Sequence, residues 1–336
     1  MALRLSVHMT SWPMVAPFRI TGKVFERGEM LVVALSEGEH VGRGEALGVY
    51  YLGETAESLL DQVEAARADI ERGVSREDVQ AMLPPGGARN AVDCALWDLE
   101  TARTGASVWS LTGIRPKPLR TAYTIGIGET PEKMAAQAAR AKQYPLLKIK
   151  LDGETPVERM QAIRAARPDA ALIIDANQGF TLPQLESLLE PFAALGVAMI
   201  EQPLPRGGDA GLARLRSPIP ICADESCLHR GELPDALERY DMINIKLDKT
   251  GGLTEALALA AAARAAGKRL MVGNMLGTSL SMAPGYVVAQ LCDFVDLDGP
   301  LSLKSDYAGG LVYDGGQVSQ PAAGFWGGMN RNGDAL

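Results

Sequence analysis

Eight short apolar runs, spaced 22–27 residues apart, recur along residues 118–305 and restrict the fold more than any other feature of the sequence. The stretches between them, such as Pro156–Arg167 and Thr254–Ala266, carry apolar residues three and four positions apart, as amphipathic helices do. Runs that are apolar throughout are typical of parallel strands buried on both faces by flanking helices. In chain order the runs are LRTAYTIGI, LLKIKL, ALIIDA, VAMIEQ, IPICAD, MINIKL, RLMVGN and DFVDLD.

Eight strand-and-helix units predict an α/β fold of the (β/α)8 TIM-barrel type for residues 118–305, and barrels of this kind usually have close to this size. An open, doubly wound sheet is the alternative. That fold binds phosphate through a glycine-rich loop after its first strand, and no such loop follows the first run here. The barrel is therefore favoured.

Residues 1–117 follow a different pattern, in which alternating strands precede helices. This order is typical of an α+β unit, which we expect to pack over the barrel as a capping domain. The glycine-rich tail, residues 306–336, contains a hairpin-like segment at Leu311–Val318, and we expect it to return to the capping domain and complete it. The expected strands are Leu3–Val7, Glu29–Leu35 and Arg43–Val49. The expected helices are Ala56–Arg72, a segment that starts near the capping signal at Ser75 and ends before Pro84, and Ala88–Thr104.

The composition argues against several kinds of partner. The chain has 33 Lys and Arg against 41 Asp and Glu, a formal net charge of −8, which disfavours binding to nucleic acid or to an anionic membrane. The Ala-rich stretch at residues 256–266 is about half the length needed to span a bilayer. Four cysteines in 336 residues do not form a disulfide framework, so we expect a reduced, cytoplasmic protein.

Charged residues stand at the carboxyl ends of most of the expected barrel strands. An isolated ion is heavily penalised when it leaves water, so charges at these positions indicate a shared site. In a parallel barrel all strands end on one face, and the active sites of such barrels lie there. The charged strand ends are Lys148, Lys150, Asp175, Glu201, Asp224, Lys246, Asp296 and Asp298.

Three carboxylates, Asp175, Glu201 and Asp224, end three consecutive strands. Three oxygen ligands without His or Cys suit Mg²⁺ far better than zinc. Mg²⁺ usually keeps coordination positions for water or substrate, so we expect one catalytic ion rather than a structural one. The alternative is that each carboxylate only caps the helix after its strand, which explains one strand end more easily than three.

The lysines approach this face from two sides. Lys148 and Lys150 are two positions apart and therefore lie on the same side of one strand. Lys246, four strands later, approaches from the opposite wall of the barrel. Nearby cations and a metal lower the pKa of a lysine and make it a usable base at neutral pH, which we expect here. A purely structural network of lysines and carboxylates is the alternative.

A second acidic pair, Asp296 and Asp298, follows the eighth strand with both carboxylates on one side. Three roles fit this pair from the residues alone. The two side chains are further metal ligands, helix caps, or a receptor for an ammonium group of the substrate.

These motifs resemble, in order and spacing, those of the muconate-lactonising subgroup of the enolase superfamily. Residues 87–98 and 244–256, together with Asp296-Leu-Asp298, are similar to the dipeptide epimerases of that subgroup, of which the best known act on L-Ala-D/L-Glu. The similarity covers most of residues 10–305 and fades in the tail. The matching motifs are Lys148-x-Lys150, Asp175-Ala-Asn177, Glu201-Gln-Pro203, Asp224-Glu225-Ser226 and Asn244-Ile-Lys246.

The resemblance implies an isomerase that uses one Mg²⁺, held by the three carboxylates, to epimerise a small dipeptide at the α-carbon of its C-terminal residue. Lys150 and Lys246 are then the two bases of a 1,1-proton transfer through an enediolate, and Lys148 stabilises the charge of that species. Asp296 and Asp298 bind the α-ammonium group of the dipeptide.

The resemblance also indicates further substrate contacts. Thr124 on the first strand resembles a contact of the family, and Asn274 stands where some relatives carry cysteine. The family is expected to bind a glutamate side chain through an arginine on a mobile loop of the first domain. In the corresponding segment, Phe18–Phe25, Arg19 and Lys23 both fit this role, and neither aligns securely with the arginine.

Two other functions fit the same chain less well. A muconate-type cycloisomerase or an o-succinylbenzoate synthase uses the same scaffold, but its substrate has no ammonium group and would be repelled by Asp296 and Asp298. A non-catalytic binding barrel would be expected to have lost a base or a metal ligand, and none of these residues is lost. The resemblance also allows a homo-oligomer, although the sequence locates no interface.

Overall fold

The computed structural model describes residues 3–329. Residues 1–2 and 330–336, the outermost parts of the predicted capping domain and tail, lie outside the described residues. Within the described range, no helix is both long enough and apolar enough to cross a membrane.

A three-stranded antiparallel sheet opens the chain, with the spatial order β1-β2-β3. Its strands are β1 (Arg4–Ile20), β2 (Lys23–Glu37) and β3 (His40–Leu47). The first two are much longer than predicted, because their pairing continues as a hairpin that turns at Thr21 and Gly22. Phe18–Phe25, predicted as a loop, is therefore the tip of a β-hairpin.

Four helices and a short fifth follow the sheet. The predicted helix at Ala56–Arg72 is in fact two helices, because the chain departs from helical geometry at Ala66 (φ −91°, ψ −1°). The hydroxyl groups of Thr55 and Ser75 cap the first and third helices by accepting backbone N–H groups. The helices are α1 (Ala56–Ala65), α2 (Arg67–Gly73), α3 (Arg76–Met82), α4 (Gly87–Thr104) and α5 (Val108–Thr112).

Helix α4 lies directly against β3, and two glycines of β3 permit this contact. A Cβ atom at Gly42 would lie 2.1 Å from the backbone nitrogen of Leu99, and one at Gly44 would lie 2.1 Å from the carbonyl oxygen of Ala91. Backbone atoms of a helix cannot move aside, so larger residues would separate α4 from the sheet.

Eight parallel strands form the second sheet, and their order in space follows their order in the chain. A hydrogen bond of 2.8 Å from the N–H of Ala122 to the carbonyl oxygen of Val295 joins the two ends of the sheet. The predicted barrel is confirmed, and each strand lies within one of the eight apolar runs. After β4 (Leu119–Arg120), the strands are β5 (Tyr123–Ile125), β6 (Leu146–Lys150), β7 (Ala171–Asp175), β8 (Val197–Glu201), β9 (Ile221–Ala223), β10 (Met242–Ile245), β11 (Arg269–Val272) and β12 (Phe294–Val295).

The helices around the barrel are less regular than predicted. The described chain forms only a 3-10 helix, Ala210–Arg214, between β8 and β9, and another, Gly299–Ser302, after β12. The first connection contains Pro203, Pro205 and two adjacent glycines, which do not support an α-helix. The remaining connections contain α6 (Pro131–Arg140), α7 (Pro156–Ala166), α8 (Leu182–Ala194), α9 (Leu233–Arg239), α10 (Leu247–Thr250), α11 (Leu253–Ala265) and α12 (Ser279–Ala289).

The alternation of side chains along the strands divides the barrel interior into two layers. Each acid follows an apolar residue by two positions and therefore lies on the same face of its chain segment. Asp175 follows Ile173, Glu201 follows Met199, and Asp224 follows Cys222. The acids therefore lie above an apolar floor. That floor consists of Ala122, Ile173, Met199, Cys222, Met242 and Met271.

The described part of the tail contacts both the barrel and the amino-terminal part. Strands β13 (Val312–Asp314) and β14 (Gln317–Ser319) form a third sheet with β4. Beyond them, the indole N–H of Trp326 donates to the carbonyl oxygen of Arg43 at 3.0 Å, and the N–H of Gly327 donates to Asp98 at 2.7 Å. The boundaries at residues 117 and 305 stay predictions.

Glu45 on β3 joins the amino-terminal part to the barrel. Its carboxylate accepts the backbone N–H of Thr278 at 2.9 Å and the hydroxyl of Thr278 at 2.8 Å, where α12 begins. Burial raises the pKa of Glu45 from 4.5 to about 7. The folded protein therefore binds more protons here than the unfolded chain between pH 4.5 and 7, so its free energy of unfolding falls as the pH rises through this window.

We predict that Glu45→Gln removes this contribution, because glutamine keeps an acceptor for Thr278 and carries no charge. The free energy of unfolding of the variant minus that of the wild type should increase by about 1–3 kcal/mol from pH 5 to pH 8. Urea unfolding followed by circular dichroism at both pH values measures the difference. A gap between the two proteins that stays constant with pH would contradict the prediction.

Candidate active site

The carboxyl ends of the barrel strands and the hairpin of β1 and β2 enclose a cavity. The barrel supplies charged and polar side chains to its lining, and the amino-terminal part supplies aromatic and apolar ones. Asp175 and Glu201 lie behind this lining with no exposed surface. The other predicted residues that line the cavity are Thr124, Lys148, Lys150, Asp224, Lys246, Asn274, Asp296 and Asp298.

The three predicted metal ligands stand at the ends of three neighbouring strands. Asp175 and Glu201 are paired in register on β7 and β8, and Asp224 follows β9. All three carboxylates are fully buried. The side-chain amide of Asn244 donates to Glu201 Oε1 at 2.7 Å, which holds the central acid from the side of β10.

Lys148 is a buried cation among carboxylates. Its Nζ atom lies 3.0 Å from Asp175 Oδ2, 2.8 Å from Glu201 Oε2 and 2.8 Å from Asp296 Oδ2. Burial alone would lower the pKa of Lys148, but the attraction of these three acids raises it well above its ordinary value. Lys148 is thus a fixed positive charge at the centre of the site.

Lys150 and Lys246 enter the cavity from opposite walls. Lys150 ends β6 and Lys246 follows β10, and these strands are four positions apart in a closed sheet of eight. Lys150 Nζ lies 2.6 Å from Asp175 Oδ2, and Lys246 Nζ lies 2.6 Å from Asp224 Oδ2. The geometry therefore has the arrangement that two-sided proton transfer needs.

The acids beside Lys246 act against the lowering of its pKa that we expect from nearby cations and a bound metal ion. Burial lowers the pKa of this lysine, but the attraction of Asp224 and Glu201 is larger, and the net shift is upward. The acids that surround Lys246 outweigh the repulsion from Lys148.

The acidic pair after β12 lies across the cavity from the end of β8. Asp296 Oδ2 contacts Lys148, whereas Asp296 Oδ1 has no hydrogen-bond partner. Asp298 Oδ2 accepts the backbone N–H of Thr124 at 2.7 Å, and the side chain of Asn274 donates to the carbonyl oxygen of Asp296 at 2.8 Å. Burial, followed by the charge of Asp296, raises the pKa of Asp298 to about 7, so a cationic ligand would be favoured here.

The structure does not bring Arg19 or Lys23 into the cavity lining. Arg19 is exposed and lines two clefts beside the hairpin, one of which shares Thr124 and Asp298 with the cavity. Lys23 Nζ lies over the aromatic rings of Phe25 and Tyr50, 4.9 and 4.4 Å from their centroids. The hairpin side chains that do line the cavity are Phe18, Ile20 and Phe25.

One buried cation was missed by the sequence patterns. Lys249 Nζ on α10 lies 2.7 Å from Asp224 Oδ1 and donates to the carbonyl oxygens of Asp224 and Asn244, at 2.6 and 3.0 Å. It holds Asp224 from the side away from Lys246. Its position three residues after Lys246 was visible in the sequence, but only the presence of α10 turns its side chain back toward the site.

The donor set suits a hard divalent cation, because three buried carboxylates offer oxygen ligands only. Glu201 Oε2 and Asp224 Oδ1 have no hydrogen-bond partner of ideal geometry and face lysine ammonium groups. Within residues 3–329, no three acidic, His or Cys side chains converge on one point. Lys148 Nζ lies between Asp175 and Glu201, so a metal ion held by these acids would replace its contacts.

Comparison with known families places both parts of the chain. Residues 3–113 match the N-terminal domain of the mandelate racemase and muconate lactonizing enzymes, and residues 133–331 match the enolase C-terminal domain-like family. The chain belongs to the mandelate racemase and muconate lactonizing enzyme family of the enolase superfamily. The predicted membership is confirmed.

Members of this family resemble the chain over nearly its whole length. An L-Ala-D/L-Glu epimerase from Escherichia coli strain K12 is 44% identical over 317 residues, which cover 94% of this chain and 98% of that protein. An enolase family member from Agrobacterium tumefaciens with homology to dipeptide epimerases, crystallised with sodium and L-Ala-L-Glu, is 43% identical. Its TM-score is 0.94, over 97% of this chain and 100% of that chain.

A more distant structure shows a metal in the same fold. A dipeptide epimerase from Cytophaga hutchinsonii, complexed with Mg and the dipeptide D-Ala-L-Val, is 27% identical with a TM-score of 0.89. The match covers 96% of this chain and 94% of that chain.

We predict that Lys249→Met lowers the stability by about 3–5 kcal/mol, because it leaves the buried carboxylate of Asp224 and two carbonyl oxygens without this cation. Lys133→Met is the matched control, since Lys133 pairs with Glu129 on the exposed surface. The control should change stability by less than about 1 kcal/mol. Equal losses in the two variants, measured by urea unfolding, would refute the role given to Lys249.

Proposed function

We propose that the protein is a Mg²⁺-dependent dipeptide epimerase that inverts the α-carbon of the C-terminal residue. One observation carries the proposal: Lys150 and Lys246 face each other across a cavity that is lined by Asp224 and a separate acidic pair. The other two members of the carboxylate triad, Asp175 and Glu201, are buried directly behind this lining. Inversion at a carbon atom requires a proton to leave one face and another to arrive at the opposite face, and two bases on opposite walls provide this.

In each direction of the reaction one lysine acts as the base and the other as the acid. The Nζ atom of the first, as a free amine, takes the α-proton, and the ammonium group of the second delivers a proton to the other face. Asp175 and Asp224, each 2.6 Å from its lysine, orient the two Nζ atoms. When the substrate epimer changes, the two lysines exchange roles.

The chief obstacle is the weak acidity of the α-carbon, since enzymes lower such barriers by roughly 8–23 kcal/mol. Asp175, Glu201 and Asp224 would hold Mg²⁺, which when bound withdraws charge from the substrate carboxylate and makes the α-proton more acidic. Lys148, buried and cationic, presents its ammonium group to the same developing charge.

The acidic pair selects the substrate class. Asp296 Oδ1 is without a hydrogen-bond partner and Asp298 has a raised pKa, and an α-ammonium group at the far end of a dipeptide satisfies both. Thr124 and Asn274 hold the pair in place and border the same part of the cavity. A cycloisomerase or o-succinylbenzoate synthase substrate has no group for these carboxylates.

We also propose that the reaction takes place in the cytoplasm, with residues 1–117 acting as the cap of the barrel. The cellular location is supported by the four cysteines, all of which are free thiols. The role of the cap is supported by the aromatic and apolar side chains that it contributes to the cavity.

The two-base scheme predicts different outcomes for epimerisation and for proton exchange. Lys150→Ala and Lys246→Ala should both abolish epimerisation of a dipeptide. Each variant keeps one base, so it should still exchange the α-proton of one substrate epimer with D₂O. The epimer that exchanges should be the opposite one in the two variants. Mass spectrometry and chiral chromatography measure the two rates, with Lys133→Ala as the exposed control. Unchanged epimerisation in Lys246→Ala, or no exchange with any dipeptide in the wild type, would refute the proposal.

The ammonium receptor predicts a selective loss. Asp298→Asn should lower kcat/KM for dipeptides at least tenfold, because asparagine keeps the shape and the acceptor for Thr124 but loses the charge. The rate of α-proton exchange of N-acetylated dipeptides, which carry no ammonium group, should change much less. Equal losses for both substrate types would mean that Asp298 does not bind the ammonium group.

A further inference from the structure

The cavity also indicates which side chain the substrate carries on its C-terminal residue. We infer that this side chain is apolar and uncharged, with leucine, methionine or phenylalanine as its representatives. The inference deepens the proposed function and rests on it. It departs from the glutamate side chain that the family resemblance implies.

Three of the four substituents of the reacting α-carbon have a direction that the proposed function defines. The substrate carboxylate faces the proposed metal ligands, and the α-proton faces Lys150 or Lys246. The peptide nitrogen leads toward Asp298. All of these groups belong to the barrel or to its carboxyl end. The fourth substituent, the side chain, therefore faces the part of the lining that the hairpin and the neighbouring barrel loop supply.

That part of the lining is apolar. Ile20 and Leu276 line it and are 5% and 8% exposed. Leu276 belongs to a hydrophobic cluster with Met30, against which Phe18 and Phe25 pack. An apolar side chain here gains from leaving water, whereas a carboxylate would lose its hydration without a replacement.

A side-chain carboxylate would find no free cation in the cavity. Among the described residues, the cations of the lining are Lys148, Lys150 and Lys246, and each has a carboxylate oxygen within 3.0 Å. Glu225 also lines the cavity, and its Oε2 atom has no hydrogen-bond partner. The other acids of the lining, Asp224, Asp296 and Asp298, are assigned to the metal ion and the ammonium group, so Glu225 is the acid that a second substrate carboxylate would meet without an intervening cation.

Lys23, the cation at the hairpin turn, does not change this balance. Its ammonium group lies over the rings of Phe25 and Tyr50, and those rings line the cavity while Lys23 lines a groove outside it. The hydroxyl group of Tyr51 has no hydrogen-bond partner. A single neutral donor does not compensate for a buried carboxylate.

The substrate series L-Ala-L-Leu, L-Ala-L-Met, L-Ala-L-Phe and L-Ala-L-Glu tests the inference. Initial rates of deuterium incorporation at the C-terminal α-carbon in D₂O, measured by mass spectrometry on the wild type with Mg²⁺, give kcat/KM for each. We expect the best apolar dipeptide to exceed L-Ala-L-Glu at least tenfold. Equal or faster exchange of L-Ala-L-Glu would overturn this inference and leave the proposed function intact. Absence of exchange with all four would overturn both.

Two arginine variants of the hairpin form a matched pair. Phe25→Arg places a cation in the lining, and Val24→Arg places the same cation on the exposed face, since Val24 is 54% exposed. Phe25→Arg should shift the ratio of rates toward L-Ala-L-Glu at least tenfold, and Val24→Arg should leave it unchanged. A similar shift in both variants, or in neither while both fold, would contradict the inference.

Two further substitutions keep the test decisive if Phe25→Arg does not fold. Phe25→Leu keeps the lining apolar and should keep the preference for apolar dipeptides. Lys23→Met should leave the ratio of rates as in the wild type. A selective loss of L-Ala-L-Glu exchange in Lys23→Met would show that Lys23 binds an acidic side chain, and the inference would be wrong.

Discussion

The pairing of buried charges at the mouth of the barrel is the constraint on which the rest of the structure depends. Lysines and acids on facing strand ends are almost without exposed surface, and an isolated charge of either sign would be heavily penalised there. Each cation therefore holds an acid in place, as Lys249 and Lys246 do for opposite oxygens of Asp224. The same pairing leaves the acids ready to exchange an ammonium contact for a metal or a substrate.

The geometry of the strands turns this chemistry into a site with distinct sides. Because side chains alternate, an apolar layer lies beneath the acids and excludes water from below. Because the sheet is closed, residues four strands apart face each other, which separates Lys150 from Lys246 and the acid at the end of β8 from the pair after β12. The residues to which we assign catalysis, metal binding and ammonium binding therefore all belong to the barrel. The opposing wall comes from the amino-terminal part and the loop after β11.

The barrel strands and their charged ends could be predicted because both are local patterns of the sequence. The long hairpin could not be predicted, because the second half of Arg4–Ile20 extends beyond the three-stranded part of its sheet. This half carries prolines and exposed side chains, which remove the alternation. The roles of Arg19 and Lys23 depend on the pairing of two strands, which no local pattern defines. Lys249 was missed for a similar reason, since the four-residue helix α10 has no periodicity of its own.

The hairpin register also bears on how related enzymes acquire new substrates. Phe18 and Ile20 line the cavity, while Arg19 between them faces outward, and the pairing already slips once between Pro13 and Phe18. A slip of one residue reverses the face of every side chain that follows it. A one-codon insertion or deletion at this slip would thus present a guanidinium group instead of a phenyl ring to the bound ligand. Such a protein would change its substrate specificity through one mutation, with no substitution among the residues that we assign to catalysis.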